Sequence, residues 1–148
     1  MKWLLVRPKF ISIVANLEPL GLEYVAGMFR DLGVPYEIFD EFQHSALFRY
    51  PRLKRKIKAE GFSHVGFNAN SNTVDYILST AGKLKDDFPH LVISVGGPEA
   101  ELNYRDFCTD GVDYVFHDNS LASMHRIVQS GCSPEVLRQE TGVCFRDG

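Results

Sequence analysis

The sequence predicts an α/β domain built on a five-stranded parallel sheet with helices on both faces. Short apolar runs of strand length recur along it, notably Trp3-Leu4-Leu5-Val6, His64-Val65-Gly66-Phe67-Asn68-Ala69 and Leu91-Val92-Ile93-Ser94-Val95. Between them lie stretches of helical periodicity, and glycine or proline separates one element from the next. Runs apolar on both faces suit strands covered by helices on both sides. Five β-then-α units in strict alternation require parallel strands joined by right-handed crossovers.

Taken in order, the first strand is Trp3 to Val6, ended by Arg7-Pro8. Lys9 to Glu18 has no clear period and reads as a loop with a short extended piece at Phe10–Val14. Pro19 opens a helix to about Leu32, with Leu22, Val25, Ala26 and Phe29 on one face and Gly33 as its stop. Tyr36–Asp40 alternates as the second strand, and a loop with Gln43 and His44 leads to a basic helix from about Pro51 to Glu60, its stripe being Leu53 and Ile57. After the third strand, Ser71 is the expected N-cap of a helix to about Asp87. The fourth strand breaks at Gly96-Gly97, and Pro98 opens a helix that continues from Glu99 to about Thr109. Val112–Phe116 is the fifth strand, Ser120–Ser130 the fifth helix, Pro134–Gln139 a short extra turn, and Val143–Phe145 a last extended piece. The expected order is 2-1-3-4-5, the flavodoxin-like three-layer α/β/α arrangement.

The 148 residues fit one domain, 1–148, with 135–148 as a candidate start of a linker to something longer. The apolar stretches are strand-sized and the N-terminus is too short for a signal peptide, so the expected location is cytoplasmic, with no membrane partner. A net charge of −3 gives no reason to expect nucleic acid. Locally, Arg49, Arg52, Lys54, Arg55, Lys56 and Lys58 form a basic run without an acid, either a solvated helix face or a surface for an acidic partner. Cys108, Cys132 and Cys144 are odd in number and widely spaced, which predicts reduced thiols.

In open α/β sheets ligands bind beyond the carboxyl ends of the strands. The loops there are Arg7 to Pro19, Asn68 to Thr73, Gly96 to Glu99 and His117 to Ser120. Asn68-Ala69-Asn70-Ser71-Asn72-Thr73 is dense in amides and hydroxyls, suited to an amide-rich or phosphate-bearing ligand or to an ordinary helix cap. Gly96 and Gly97 allow positive φ or close approach of backbone to a ligand. His44 and His117 follow strands at the same end, whereas His64, His90 and His125 read as structural. No phosphate loop, dinucleotide fingerprint or nucleophile elbow is present. No residues stand out as catalytic or as metal ligands.

Four segments in register look like a known family. Pro19-Leu20-Gly21-Leu22-Glu23-Tyr24-Val25-Ala26, Gly66-Phe67-Asn68-Ala69-Asn70, Val95-Gly96-Gly97-Pro98 and Gly111-Val112-Asp113-Tyr114-Val115 resemble the N-terminal cobalamin-binding domain of cobalamin-dependent radical SAM enzymes. Thr141 to Gly148 resembles the segment that leads into the catalytic barrel there. The resemblance implies cobalamin as cofactor and a radical SAM catalytic domain or subunit as partner. It implies that Gly96 and Gly97 admit the nucleotide tail, with Pro98 and Glu99 starting the helix beside it. Asn70, Ser71, Asn72 and Thr73 would hydrogen-bond the tail or the corrin amides, and Pro19, Leu20 and Gly21 would lie along the corrin edge; Asn68, where the family usually has a serine, and His117 and Asn119 after the fifth strand are further cofactor-binding candidates. No histidine precedes His44, so the implied mode is base-off without a histidine on cobalt. No Cys-x-x-x-Cys-x-x-Cys is present to hold an iron–sulfur cluster.

Two other readings stand beside it. Asp118-Asn119-Ser120-Leu121 replaces the family's glycine-rich loop, which fits a degenerate domain that binds no corrin and serves as an interaction or regulatory module. A small enzyme using His117 and Glu99 as an acid–base pair is the third.

Overall fold

The computed structural model describes residues 1–9, 20–44, 47–118 and 120–145. Among these, six strands form one sheet: β1 (Trp3–Arg7), β2 (Tyr36–Asp40), β3 (His64–Asn68), β4 (Val92–Gly96), β5 (Tyr114–Phe116) and β6 (Val143–Phe145). Their order is β2-β1-β3-β4-β5-β6. The first five strands are parallel and reproduce the predicted 2-1-3-4-5 order, whereas β6 adds an antiparallel edge beside β5. The last extended piece is thus a sixth strand, close enough in sequence to return and pair directly.

The helices are α1 (Leu20–Asp31), α2 (Arg49–Glu60), α3 (Val74–Asp87), α4 (Pro98–Asn103), α5 (Ser120–Gln129) and α6 (Pro134–Gln139). Pro98 is the first residue of α4, as expected for a residue without an N–H. That helix is shorter than predicted: it ends at Asn103 and a 3-10 turn covers Tyr104–Phe107. Before α3, Ser71–Thr73 form a 3-10 turn, and the cap is Asn70 rather than Ser71. The Asn70 N–H donates to Thr73 Oγ1 at 2.9 Å and the Asn70 carbonyl accepts the Thr73 N–H at 2.9 Å, so Thr73 is consumed in the cap.

Alternation along the strands divides the core in two. Leu4, Val6, Val65, Phe67, Ile93, Val95 and Val115 face a cluster completed by Leu53 and Ile57 of α2 and by Ile77, Ala81 and Leu84 of α3. Trp3, Leu5 and Phe116 face the other, with Leu22, Ala26 and Phe29 of α1 and Met124, Ile127 and Val128 of α5. Leu137 of α6 and Val143 of β6 belong to the second cluster, so residues 134–145 pack into the same fold.

The cysteine expectation is corrected. Cys108 and Cys144 come together as a disulfide pair with Cα atoms 6.8 Å apart, and Cys132 alone is free. A separation of 36 residues hid this, because β6 returns beside β5 and brings Cys144 to the turn that ends at Cys108.

His64 lies at the amino end of β3 with its ring 4.6 Å from that of Trp3. Burial, with the N-terminal ammonium a lesser cause, pushes its imidazole down to about 4 from an ordinary 6.5. The unfolded chain therefore takes up a proton between those values that the folded chain refuses. The stabilisation is fully present above the unfolded pKa and is lost as pH falls toward 4. The expected loss between about pH 7 and 4.5 is about 2 kcal/mol, discounted for the ring's partial exposure and read by urea denaturation. His64→Phe should flatten this window, and an unchanged slope would refute the assignment. Glu37, held down to about 2 chiefly by the Lys56 ammonium, loses its contribution only below the ordinary 4.5 and does not overlap.

Candidate functional site

On the α1/α5 side, β1 presents Trp3, Leu5 and Arg7, β3 presents His64, Gly66 and Asn68, and β4 presents Val92, Ser94 and Gly96. Cα partners align Leu5 with Gly66 and Gly66 with Ser94, while Asn68 aligns with Gly96. The middle of this face therefore carries no side chain at Gly66 and a small one at Ser94. The helices cannot close onto it there, and a cavity of 520 Å³ opens between sheet and helices toward the carboxyl ends of the strands. Leu5, Gly66, Ser94 and Phe116 form its floor, Leu22 and Val25 of α1 and Met124 of α5 its walls. Around the mouth stand Arg7, Asn68, Asn70, Gly96, Gly97, Pro98 and Glu101. Such an apolar slot with a polar rim is the general form of a small-molecule site.

Gly97 is where β4 meets the loop after β3. Its φ is +102°, and a Cβ there would lie 2.2 Å from Asn68 Oδ1, 2.9 Å from the Ala69 carbonyl and 3.0 Å from the Ala69 nitrogen. Hydrogen bonds lock the two segments, from Ala69 N–H to the Gly96 carbonyl at 2.7 Å and from Glu99 N–H to the Ala69 carbonyl at 3.2 Å. Gly97 thus admits neighbouring backbone. Gly96 has open space on its cavity side, where a Cβ would meet only Phe116 Cβ at 3.8 Å.

The rim carries both charges. Arg7 is buried, with Nη1 3.3 Å from Asp40 Oδ2 and its guanidinium 4.4 Å from the Phe42 ring centre. On the far side the Ser120 hydroxyl donates to Glu101 Oε1 at 3.2 Å. Leu20, Tyr24 and Leu121, all lining residues, are largely exposed, so the mouth is apolar as well as polar.

Beside the site, the chain leaving β1 is clamped by a buried carboxylate. Glu41, 1% exposed, accepts at Oε2 from the Lys9 N–H at 3.0 Å and from Arg49 Nε and Nη2 at 3.0 and 2.8 Å. The Tyr76 hydroxyl donates to Oε1, and the Arg49 guanidinium lies 3.9 Å over the Tyr76 ring. Burial, and then the Glu41 charge, push the Tyr76 phenol far up.

The cavity gathers seven of the residues singled out in the sequence: Leu20, Gly21, Asn68, Asn70, Gly96, Gly97 and Pro98. It does not gather five others. Ser71 and Asn72 are exposed on the 3-10 turn, and Thr73 is buried in the cap. Glu99 accepts from Asn103 Nδ2 at 2.7 Å, and the His117 ring stacks on Tyr104 at 4.1 Å. Neither Glu99 nor His117 is among the residues that line the cavity. His44, likewise outside, stacks on Phe39 at 5.1 Å. Pro19, Asn119 and the segment Phe10–Val14 lie outside the described residues. Sequence reasoning missed Leu5, Arg7, Gly66, Ser94, Phe116 and Met124. The available signal was the alternation of small or polar Gly66, Asn68, Ser94 and Gly96 with large Val65, Phe67, Ile93 and Val95.

A family model described as the B12 binding domain matches residues 7–125, well over half of the chain. The chain belongs to the B12-binding domain family. The match runs from Arg7, the last residue of β1, through β2 to β5 and most of α5, and so takes in every cavity-lining residue except Leu5. No match is found among curated proteins. Among the described residues of this B12-binding domain, no three of His, Cys, Asp and Glu are grouped to hold a metal ion, and no helix is long and apolar enough to cross a membrane.

Proposed function

We propose that this chain holds cobalamin in base-off form, without a histidine on cobalt, for a radical SAM catalytic domain or subunit in the cytoplasm. The observation that carries the reading is the row Leu5, Gly66 and Ser94, which opens a slot inside the sheet–helix interface of a B12-binding domain. A flat heteroaromatic nucleotide base suits such a slot, with Phe116, Met124 and Val25 against its faces and edges. The corrin ring would spread over the mouth, its apolar face on Leu20, Gly21, Tyr24 and Leu121 and its fringe of amides within reach of Asn68, Asn70, Ser71 and Asn72. Arg7 places a cation at the rim for the phosphate of the tail. When bound, cobalamin supplies methyl-transfer or related chemistry, while this chain's residues bind, orient and bury it.

The test is to mix the protein with hydroxocobalamin, desalt it and record the visible spectrum of the protein fraction. Stoichiometric corrin absorption of base-off shape is expected. Gly96→Phe fills the mouth where the backbone leaves room and should weaken binding about ten- to a hundredfold, with the urea midpoint unchanged. A colourless protein with hydroxo-, methyl- and adenosylcobalamin would overturn the reading in favour of an interaction module.

A further inference from the structure

A second concavity lies on a different part of the molecule and does not depend on corrin binding. β2 is an edge strand: among the described residues it pairs with β1 alone, and that pairing runs unbroken through all five residues. A groove of 840 Å³ follows it, lined by Ile38, Phe39, Gln43 and His44 on the strand side and by Arg52, Arg55, Lys56, Ala59 and Glu60 on the α2 side, with Glu60 held by Lys56. Ile38 and Phe39 are consecutive and point to opposite faces of the sheet. Both line the groove, so it runs along the open backbone edge of the strand.

Edges are usually blunted by proline, bulges or charge. β2 has no proline or bulge, and its one charge in mid-strand, Glu37, is neutralised by Lys2 and Lys56. Ile38 is exposed beside it. Across the groove, most of the basic run is already paired: Arg49 with Glu41, Lys54 with Asp87, and Lys56 with Glu37 and Glu60. Arg52 and Arg55 have no carboxylate partner among the described residues. Three positions apart on a helix, they stand about 5–6 Å from each other at Cβ. Alternate side chains of an extended strand are about 6.5–7 Å apart and share a face, so two carboxylates at such positions meet both guanidinium groups.

We propose that this groove docks an extended acidic segment of a partner protein, which adds a strand to β2 while alternate carboxylates pair with Arg52 and Arg55. Backbone pairing supplies a surface that any peptide could use, and the arginines select an acidic one. The exposed Ile38 provides an apolar contact next to them.

The probe is a fluorescein-labelled octapeptide alternating glutamate with valine, titrated with the protein and followed by anisotropy. Saturable binding that weakens with salt is expected, as is a loss of about tenfold or more in R52E/R55E. The same peptide N-methylated at alternate backbone nitrogens should fail to bind, since edge pairing needs those donors. An unchanged urea midpoint in R52E/R55E shows that the fold is retained, and Arg52→Lys/Arg55→Lys, which keeps the charge, should retain part of the affinity. Absence of saturable binding, or binding indifferent to the charge reversal or to N-methylation, would overturn the proposal. So would equal affinity for a single-stranded RNA octamer or full competition by inorganic phosphate, which would make the face a general anion surface.

Discussion

Gly97→Ala should cost about 4 kcal/mol of folding stability, the first of two large effects expected of single substitutions beside the site. Two causes add. The residue sits at φ +102°, a region that side chains other than hydrogen rarely occupy, and the new methyl would meet Asn68 Oδ1, the Ala69 carbonyl and the Ala69 nitrogen at 2.2 to 3.0 Å. The Asn68 side chain can swing away, but the Ala69 backbone is held by hydrogen bonds to Gly96 and Glu99 and cannot. Urea denaturation at neutral pH reads the loss. Asn68→Ala with Gly97→Ala separates the causes: removing the movable neighbour should recover only a small part. A single-variant loss below about 1 kcal/mol would show that the junction between β3 and β4 relaxes more easily than its hydrogen bonding implies.

Glu41→Ala is the second, with an expected loss of about 3–5 kcal/mol. The substitution leaves the Lys9 N–H, the Arg49 guanidinium and the Tyr76 hydroxyl facing a void where four hydrogen bonds had converged. Most of the cost comes from the partly buried cation that remains, not from the net worth of the pair. Glu41→Ala combined with Arg49→Met should therefore recover a substantial part of the stability. Denaturant titration of the two singles and the double closes the cycle, and strict additivity would sink the account. Because Lys9 begins the segment that follows β1, weaker corrin uptake by Glu41→Ala at temperatures where the variant is folded would tie this clamp to the cofactor side of the sheet.

Much of the fold was legible because its signals are local. Pro98 at the start of α4, Gly33 and Gly61 after α1 and α2, and the apolar stripe Leu53 and Ile57 each act within a few residues of where they stand. The misreadings arose where two local signals compete or where no local signal exists. Ser71 looked like a cap, but Asn70 and Thr73 satisfy each other first, and the chain makes one 3-10 turn before α3 begins. Cys108 and Cys144 carried no local sign of each other, since only the antiparallel return of β6 makes them neighbours.

The candidate site shows the same division. The polar loop after β3 and the Gly96-Gly97 turn were visible in the sequence, and both reach the mouth of the cavity through Asn68, Asn70, Gly96 and Gly97. Glu99 and His117 were equally plausible in the linear chain, yet the tertiary structure engages them with Asn103 and Tyr104. The floor went unread because Gly66 and Ser94 each look ordinary inside an apolar strand. Their meaning appears only when register sets them side by side next to Leu5 and the helices above find nothing to pack on. The sequence by itself determined the parallel α/β architecture and its strand order, because periodicity and punctuation act over short range. Only the tertiary structure decided where the cavity lies, which glycine admits backbone and which leaves room, and which arginines of the basic run find a carboxylate among the described residues, because each of these depends on what a distant segment places opposite.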